Sequence, residues 1–435
     1  MDKDTALSTD EVPAQIGSAW ETPSLRRAAF PPLGRSINVD IVVIGAGFTG
    51  LSCAAKAASA GRSTAVLDGE KIGFGGSGRN AGQWLVGWPG RTPDQIVRQY
   101  GAETGARLNK FNVDAVERLR NSRAANAATV KLRTTGVITL ARNEKALAAL
   151  DALGRQWRAV GAHSEMLDRE TLGIHINTGR YCGALLQKDG GVINPYAYAR
   201  ALAEEARDAG AEIFEQSRAL SISEQAGRWI VRTLGGEVSA AHVAICTNAY
   251  GAELWPGLDE CFHRIRMAMI ASVPMTAKML SLFPSRAPFA DIGALSIFGG
   301  MIDDENRFIA SVLPSPSANA SPNILARGFD AQFRKTFPGL EPPEWTQTWN
   351  GDLCVTPDRL PKIYDLAPGV GAAIGYSGAG IAMGGALGSA LFEFLRDGRS
   401  QVYPISKPTP APMRRAAPFL FQHVAAPLAR FVQRL

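Results

Sequence analysis

Gly45, Gly47 and Gly50 carry the spacing G-x-G-x-x-G. They follow a β-branched apolar run, VDIVVI (39–44), and open an Ala-rich stretch, LSCAAKAASA (51–60). The first glycine permits a tight turn after a strand. The second lets the backbone approach a diphosphate, and the third lets a helix pack closely on the strand. Phe48 and Thr49 stand at the helix start, where free amides and the helix dipole attract that anion. A second apolar run, STAVLD (63–68), ends in Asp68, 18 residues after Gly50. A carboxylate there accepts hydrogen bonds from both hydroxyls of an adenosine ribose and repels a 2′-phosphate. These residues describe one strand–helix–strand unit that binds NAD or FAD rather than NADP.

The next segment, KIGFGGSGRNAGQ (71–83), separates those two dinucleotides. Ser77, Arg79 and Asn80 supply donors for diphosphate and flavin oxygens. Gly75, Gly76, Gly78 and Gly82 let backbone pass against a flat ring. The segment resembles the one that follows the second strand in the D-amino-acid-oxidase-like (DAO) superfamily of flavoproteins, above all amine oxidases of the gamma-glutamylputrescine oxidase type. HVAICTNAYG (242–251) is similar to the strand and turn that close the family's dinucleotide domain, with Thr247 and Asn248 beside the cofactor. GYSGAGIAMGGALG (375–388) resembles its C-terminal G-x-S-G-x-G turn, where Gly378, Ala379, Gly380 and Ile381 start a helix aimed at the flavin. Thr356, Asp358 and Pro361 match a T-x-D-x-x-P stretch, and SAW (18–20) an S-x-W motif ahead of the first strand. The resemblance also implies cofactor contacts at Lys71, Ala81, Gln83, Ala219 and Gly351.

What the resemblance implies is an FAD-dependent oxidoreductase acting on CH–NH or CH–NH2 donors. Hydride leaves the carbon for flavin N5, the imine is hydrolysed, and O2 becomes H2O2. Such chemistry centres on the flavin and needs no catalytic triad. Two departures stand out. Many relatives have His where this chain has Ala379. Sarcosine-oxidase-like relatives attach flavin to a Cys where this chain has Gly351, so FAD is expected to be non-covalent. Those relatives also use a Lys near the ring; the comparable strand here, ENRFIAS (305–311), offers Arg307 as its only cation. Substrate candidates are Trp84, Met269, Phe298 and Tyr376, with Gln83, Trp88 and Met267 in the same places. Arg264 and Arg266 would suit a substrate carboxylate, but strand alternation puts both on one face that can equally be solvent. Two alternatives share the fold: a dehydrogenase passing electrons to a quinone or carrier, and a non-catalytic flavoprotein subunit.

The elements that must position these residues follow from the pattern. The expected fold is α/β, a Rossmann-like FAD-binding domain interleaved with an α+β substrate domain, as in the glutathione-reductase and DAO types. The FAD domain is expected at 37–90, 191–250 and 346–400, and the substrate domain at 91–190 and 251–345. Residues 1–36 form an N-terminal lead and 401–435 a C-terminal tail. Helical periodicity marks 102–120, 144–161 and 194–211, and WNGDLCVTPDRLPKI (349–363) reads as turn-rich. Residues 366–392 lack charge over a length that would span a bilayer, but their many Gly and Ser favour a buried strand, a turn and a packed helix.

Composition sets the outer bounds. The 435 residues are 46% hydrophobic and 20% charged, with 45 Gly, enough apolar material for a sizeable core. A net charge of +6 with no basic block argues against nucleic-acid binding. Five Cys form no C-x-x-C, which suggests reduced thiols, and the His and Cys spacings predict no metal site. The polar, acidic N-terminus does not read as a secretory signal, so a cytoplasmic location is expected. The basic amphipathic end, FLFQHVAAPLARFVQRL (419–435), offers a possible membrane contact, with a helix packed on its own domain the simpler reading.

Overall fold

A computed structural model describes residues 17–22, 25, 29–293, 296–312 and 321–412. The tail helix expected at 419–435 lies outside the described residues.

The buried β-branched run becomes the strand Ile37–Ile44, at the centre of the first sheet. It pairs in parallel with Thr64–Leu67 on one side and Glu237–Ile245 on the other. Glu212–Phe214 extends the sheet beyond Thr64–Leu67, and Val370–Ile374, Lys362–Ala367 and Ile405–Ser406 extend it the other way. A hairpin around Gly235 and Gly236 joins Arg228–Arg232 to Glu237–Ile245. Three helices, Phe48–Ser59, Pro195–Asp208 and Gly380–Asp397, cover one face. The first ends where Gly61 takes up a left-handed φ of 76°. The second has the Asn194 cap and the Pro195 start that its sequence specifies.

The uncharged segment 366–392 folds as a strand, a glycine turn and the helix Gly380–Asp397. Its small residues serve close packing. A methyl group added at Gly388 would lie 2.2 Å from the Thr49 carbonyl oxygen, so the helix touches the backbone of Phe48–Ser59. Among the described residues no helix is long and apolar enough to cross a membrane.

A second sheet holds, in spatial order, Trp345–Val355, His263–Pro274, Arg307–Val312, Ser296–Ile302, Phe289–Gly293, Val137–Ala141, Gly183–Gln187 and Ser164–Leu167. Here the structure corrects one expected boundary. Trp345–Val355 was to belong to the cofactor domain from residue 346, yet it pairs along its length with His263–Pro274. The chain crosses between sheets after Val355. Aromatic rings of Phe289, Phe298, Phe308, Phe329 and Trp345 pack between this sheet and the helix Pro322–Thr336.

Candidate cofactor and substrate site

Gly45 leaves the first strand at φ 102°, a left-handed conformation that favours glycine. A methyl group at Gly50 would sit 1.9 Å from the Gly45 carbonyl oxygen, and one at Gly47 would sit 2.8 Å from Ser77 Oγ. The helix Phe48–Ser59 therefore begins against the strand end and against the 71–83 loop. Gly47 caps it without any side-chain hydrogen bond. Ser77 Oγ accepts from the Phe48 amide at 3.1 Å. Thr49 Oγ1 lies 2.6 Å from Tyr376 Oη, tying the first glycine turn to the last.

Asp68 ends its strand as expected. One carboxylate oxygen accepts from the Ala46 amide at 2.7 Å and the other from the Glu70 amide at 2.9 Å. Burial pushes its carboxyl up to about 6, against the pull of those two amides. Ser217 and Gln216 run alongside, their amides donating to the carbonyls of Asp68 and Glu70. Ala219 follows on the same side, buried near Phe214. Lys71 is exposed. Ile72, one residue on, donates its amide to the buried carboxylate of Glu215, which also pairs with Arg200 at 3.2 Å.

Residues 71–83 contain a short helix, Gly76–Arg79. Three successive carbonyls at its end are each held from outside. Gly78 accepts from Ser18 Oγ at 3.0 Å, Arg79 from Trp349 Nε1 at 2.9 Å, and Asn80 from Trp20 Nε1 at 2.8 Å. The Asn80 side chain folds back to accept from the Gly82 amide and to donate to Gly76 and Ser77 carbonyls. Arg79 lies over the Phe74 ring, 4.6 Å from its centroid, and donates to Tyr250 Oη at 3.1 Å. Ala81 packs beside Trp20 and Trp349. Gln83 begins the strand Gln83–Leu85, which pairs with Gly190–Val192.

The two later segments converge on the same place. Asn248, with φ 51°, accepts from the Gly375 amide at 3.0 Å. Thr247 Oγ1 is buried and has no partner among the described residues. Gly378 is exposed and Ala379 caps the helix Gly380–Asp397 with no side-chain hydrogen bond, while Ile381 is buried. Two helix starts whose N-cap residues, Gly47 and Ala379, offer no side-chain hydrogen bond, and one orphaned hydroxyl, thus stand at these glycine turns. Those donors fit a dinucleotide such as FAD: the first helix for its diphosphate, Asp68 for its ribose, and the second helix for the electron-rich edge of its ring. A methyl group at Gly351 would meet only Tyr250 Oη, at 4.0 Å. The T-x-D-x-x-P stretch lies beside this turn: a methyl group at Gly375 would press on Thr356, and Asp358 bonds both Tyr100 and Lys362. Burial works against the charge of Asp358, but Lys362 and Tyr100 hold its carboxyl below the ordinary range.

The register separates the substrate candidates. Met267 faces Gly351 and Met269 faces Trp349 across paired strands, on the side that carries Trp20 and Ala81. Arg264 and Arg266 fall on the opposite side, and Arg266 is paired with Asp352 at 2.9 Å. Phe298 is fully buried, 4.8 Å from the Phe329 ring centroid, in the core of the second layer. Trp84 and Trp88 are buried and bonded to Val192 and Asn109. Tyr376 is buried on Thr49, and its hydroxyl is raised in pKa by that burial. These four rings pack or hold elements together.

Arg307 also differs from expectation. Its guanidinium pairs with buried Asp303 at 2.7 Å, contacts Glu305 at 3.3 Å, and donates to the Ala19 carbonyl at 2.9 Å. These bonds tie it into a structural network between the second sheet and residues 18–20. Sequence reasoning missed Tyr250, Glu215 and Trp349. Tyr250 stands two residues after Asn248, a proximity that could have flagged it; the other two carry no local pattern. The five cysteines are unpaired, and burial raises Cys53 to about 12, so its thiol is no nucleophile.

Comparison with known proteins agrees with this geometry. Residues 40–393 match the DAO family, described as FAD dependent oxidoreductase. The chain is 30% identical over 372 residues to gamma-glutamylputrescine oxidoreductase of Escherichia coli (strain K12), covering 85% of this chain and 86% of that protein. Its fold is similar to that of glycine oxidase from Geobacillus kaustophilus, with TM-score 0.67 at 19% identity, covering 84% and 96% of the two chains. It is also similar to L-proline dehydrogenase from P.horikoshii, with TM-score 0.68 at 18% identity, covering 90% and 98%. The glycine turns, the acid-ended strand and the 71–83 loop all fall within the matched span, and the chain belongs to the DAO family of FAD-dependent oxidoreductases.

Proposed function

We propose that this enzyme oxidises a C–N bond of an amine or amino acid, with a donor of the gamma-glutamylputrescine class as the first candidate and O2 as acceptor. FAD, held by the Gly45–Gly50 turn, Asp68, the 71–83 loop and the turn before Gly380–Asp397, would supply two-electron oxidation of the carbon next to nitrogen, leaving an imine to be hydrolysed and passing the electrons to O2 as H2O2.

The observation that carries this reading is the apolar strand face at Met267 and Met269, opposite Gly351 and Trp349, with Arg264 and Arg266 turned to the other side. Such a face seats a neutral amine and its C–H bond without stabilising the ammonium form. The buried Met269 and half-buried Met267 side chains would also exclude water from the reacting carbon and adapt to a flexible chain. The Gly351 backbone leaves space beside that face. The uncapped start of Gly380–Asp397 favours negative charge placed before it, with Ala379 adding no polar side chain. The 30% identity to gamma-glutamylputrescine oxidoreductase supports the choice of donor. The test is anaerobic addition of gamma-glutamylputrescine to the oxidised enzyme. Loss of the flavin band, then H2O2 on admitting air, is expected. Bleaching without peroxide would move the reading to a dehydrogenase.

A further inference from the structure

The 78–80 carbonyls are gripped by side chains far away in sequence, and two of the three grips come from one short segment. Ser18 and Trp20 hold Gly78 and Asn80, with Ala19 between them. Asn194 Nδ2 donates to the Trp20 carbonyl at 3.2 Å, and the Trp20 ring covers Gly82. The Ala19 carbonyl accepts from Arg307, which belongs to the second sheet. Arg307 is itself fixed. Asp303 takes its side chain and its backbone amide, and both side chains are at least 87% shielded from solvent. A charged donor held this way makes a stronger and better directed bond than a neutral one.

We infer that Ser18–Trp20 is a strap that clamps the flavin loop, and that Arg307 is the positioning residue that seats it. The contacts run without a break from Arg307 to Ala19, from Ser18 and Trp20 to Gly78 and Asn80, and from Asn80 to Ser77, whose hydroxyl meets the first amide of the dinucleotide helix. The second sheet thereby governs how firmly the loop closes on FAD. The inference rests on FAD as the cofactor and is independent of which donor the enzyme oxidises.

The test uses oxidised holoenzyme with no substrate and follows FAD release by the rise in flavin fluorescence on dilution. Trp20→Phe removes one grip and keeps the ring. Arg307→Met removes the seat, and Arg307→Lys restores a cation. Arg142→Met disrupts a different ion pair of the same sheet, that of exposed Arg142 with buried Asp291, whose strand Phe289–Gly293 lies two strands from that of Arg307. Arg307→Met is expected to speed release about tenfold, the size of one charge-assisted bond, and Trp20→Phe, which removes a neutral bond, about fivefold, with their combination exceeding the worse single variant by little. Arg307→Lys is expected to recover part of the loss. Arg142→Met is expected to lower the melting temperature and leave release unchanged. Release from Trp20→Phe at the parent rate, or equal acceleration by Arg142→Met, would overturn the inference. Should Arg307→Met fail to fold, Trp20→Phe and Ser18→Ala still decide the matter, because both leave the Asp303–Arg307 pair intact.

Discussion

Gly47→Ala isolates the close approach that the second glycine provides. Gly47 has φ −86° and ψ −175°, which Ala adopts without strain, so the backbone itself has no reason to change. The new methyl group would lie 2.8 Å from Ser77 Oγ. Either Ser77 moves and its bond to the Phe48 amide is lost, at about 1 kcal/mol, or the loop shifts. The same methyl group occupies the space through which a diphosphate oxygen reaches the helix amides. Losing one such charged bond costs about 2 kcal/mol. The Ser77 cost falls on free and bound protein alike, so the lost diphosphate contact alone, about 2 kcal/mol, sets the expectation of roughly 30-fold weaker FAD binding. The assay is titration of apoprotein with FAD, read by quenching of flavin fluorescence, with circular dichroism to confirm the fold. Combining Gly47→Ala with Ser77→Ala separates the two causes, because it removes the Ser77 contact and leaves the diphosphate blocked. The combined variant should stay well below Ser77→Ala alone. Parent affinity in Gly47→Ala, or equal affinity of the combined variant and Ser77→Ala, would refute the placement of the diphosphate at this turn.

Three further outcomes follow from the same contacts. Asp68, raised to about 6, must be ionised to accept from a ribose, so FAD affinity should rise between about pH 5 and pH 7 and then level, and Asp68→Asn should flatten that profile. The sign for folding is opposite: a carboxyl that titrates above its ordinary 3.8 opposes apoprotein stability as pH rises between about 4 and 6. Tyr376→Phe leaves Thr49 Oγ1 buried without its partner and should cost about 1–3 kcal/mol in denaturant unfolding with KM unchanged; a raised KM would return Tyr376 to the substrate site. Arg200→Met leaves the Glu215 carboxylate, 2% exposed, without its cation and should destabilise by about 3–5 kcal/mol. A melting temperature equal to the parent's would contradict that role.

Legibility in the sequence followed the range of the interactions. The unit from Ile37 to Leu67 is local: strand, glycine turn, helix and strand each carry their own pattern, and residues 71–83 follow directly. The helix Gly380–Asp397 was readable because clustered Gly and Ala specify close packing rather than lipid contact. Trp345–Val355 was not readable. Asn350, Gly351 and Asp352 signal a turn, yet the partner strand His263–Pro274 holds them extended through ten paired positions, so tertiary pairing overrides local preference. Arg307 and Phe298 show the same limit. Their residue types suit a site, but which side of a strand meets the cofactor depends on register, and register is set by distant neighbours. The grip of Trp349 on Arg79 spans 270 residues and leaves no local trace.

The measurement that bears most directly on the central claim is anaerobic reduction of the bound flavin by defined donors. Purified holoenzyme receives gamma-glutamylputrescine, putrescine, an N-methyl amino acid and a D-amino acid in turn, and the visible band is followed before and after air. The account predicts rapid bleaching by at least one amine, fastest with gamma-glutamylputrescine, and recovery with H2O2. A flavin that chemical reductant bleaches but no amine or amino acid does would contradict it.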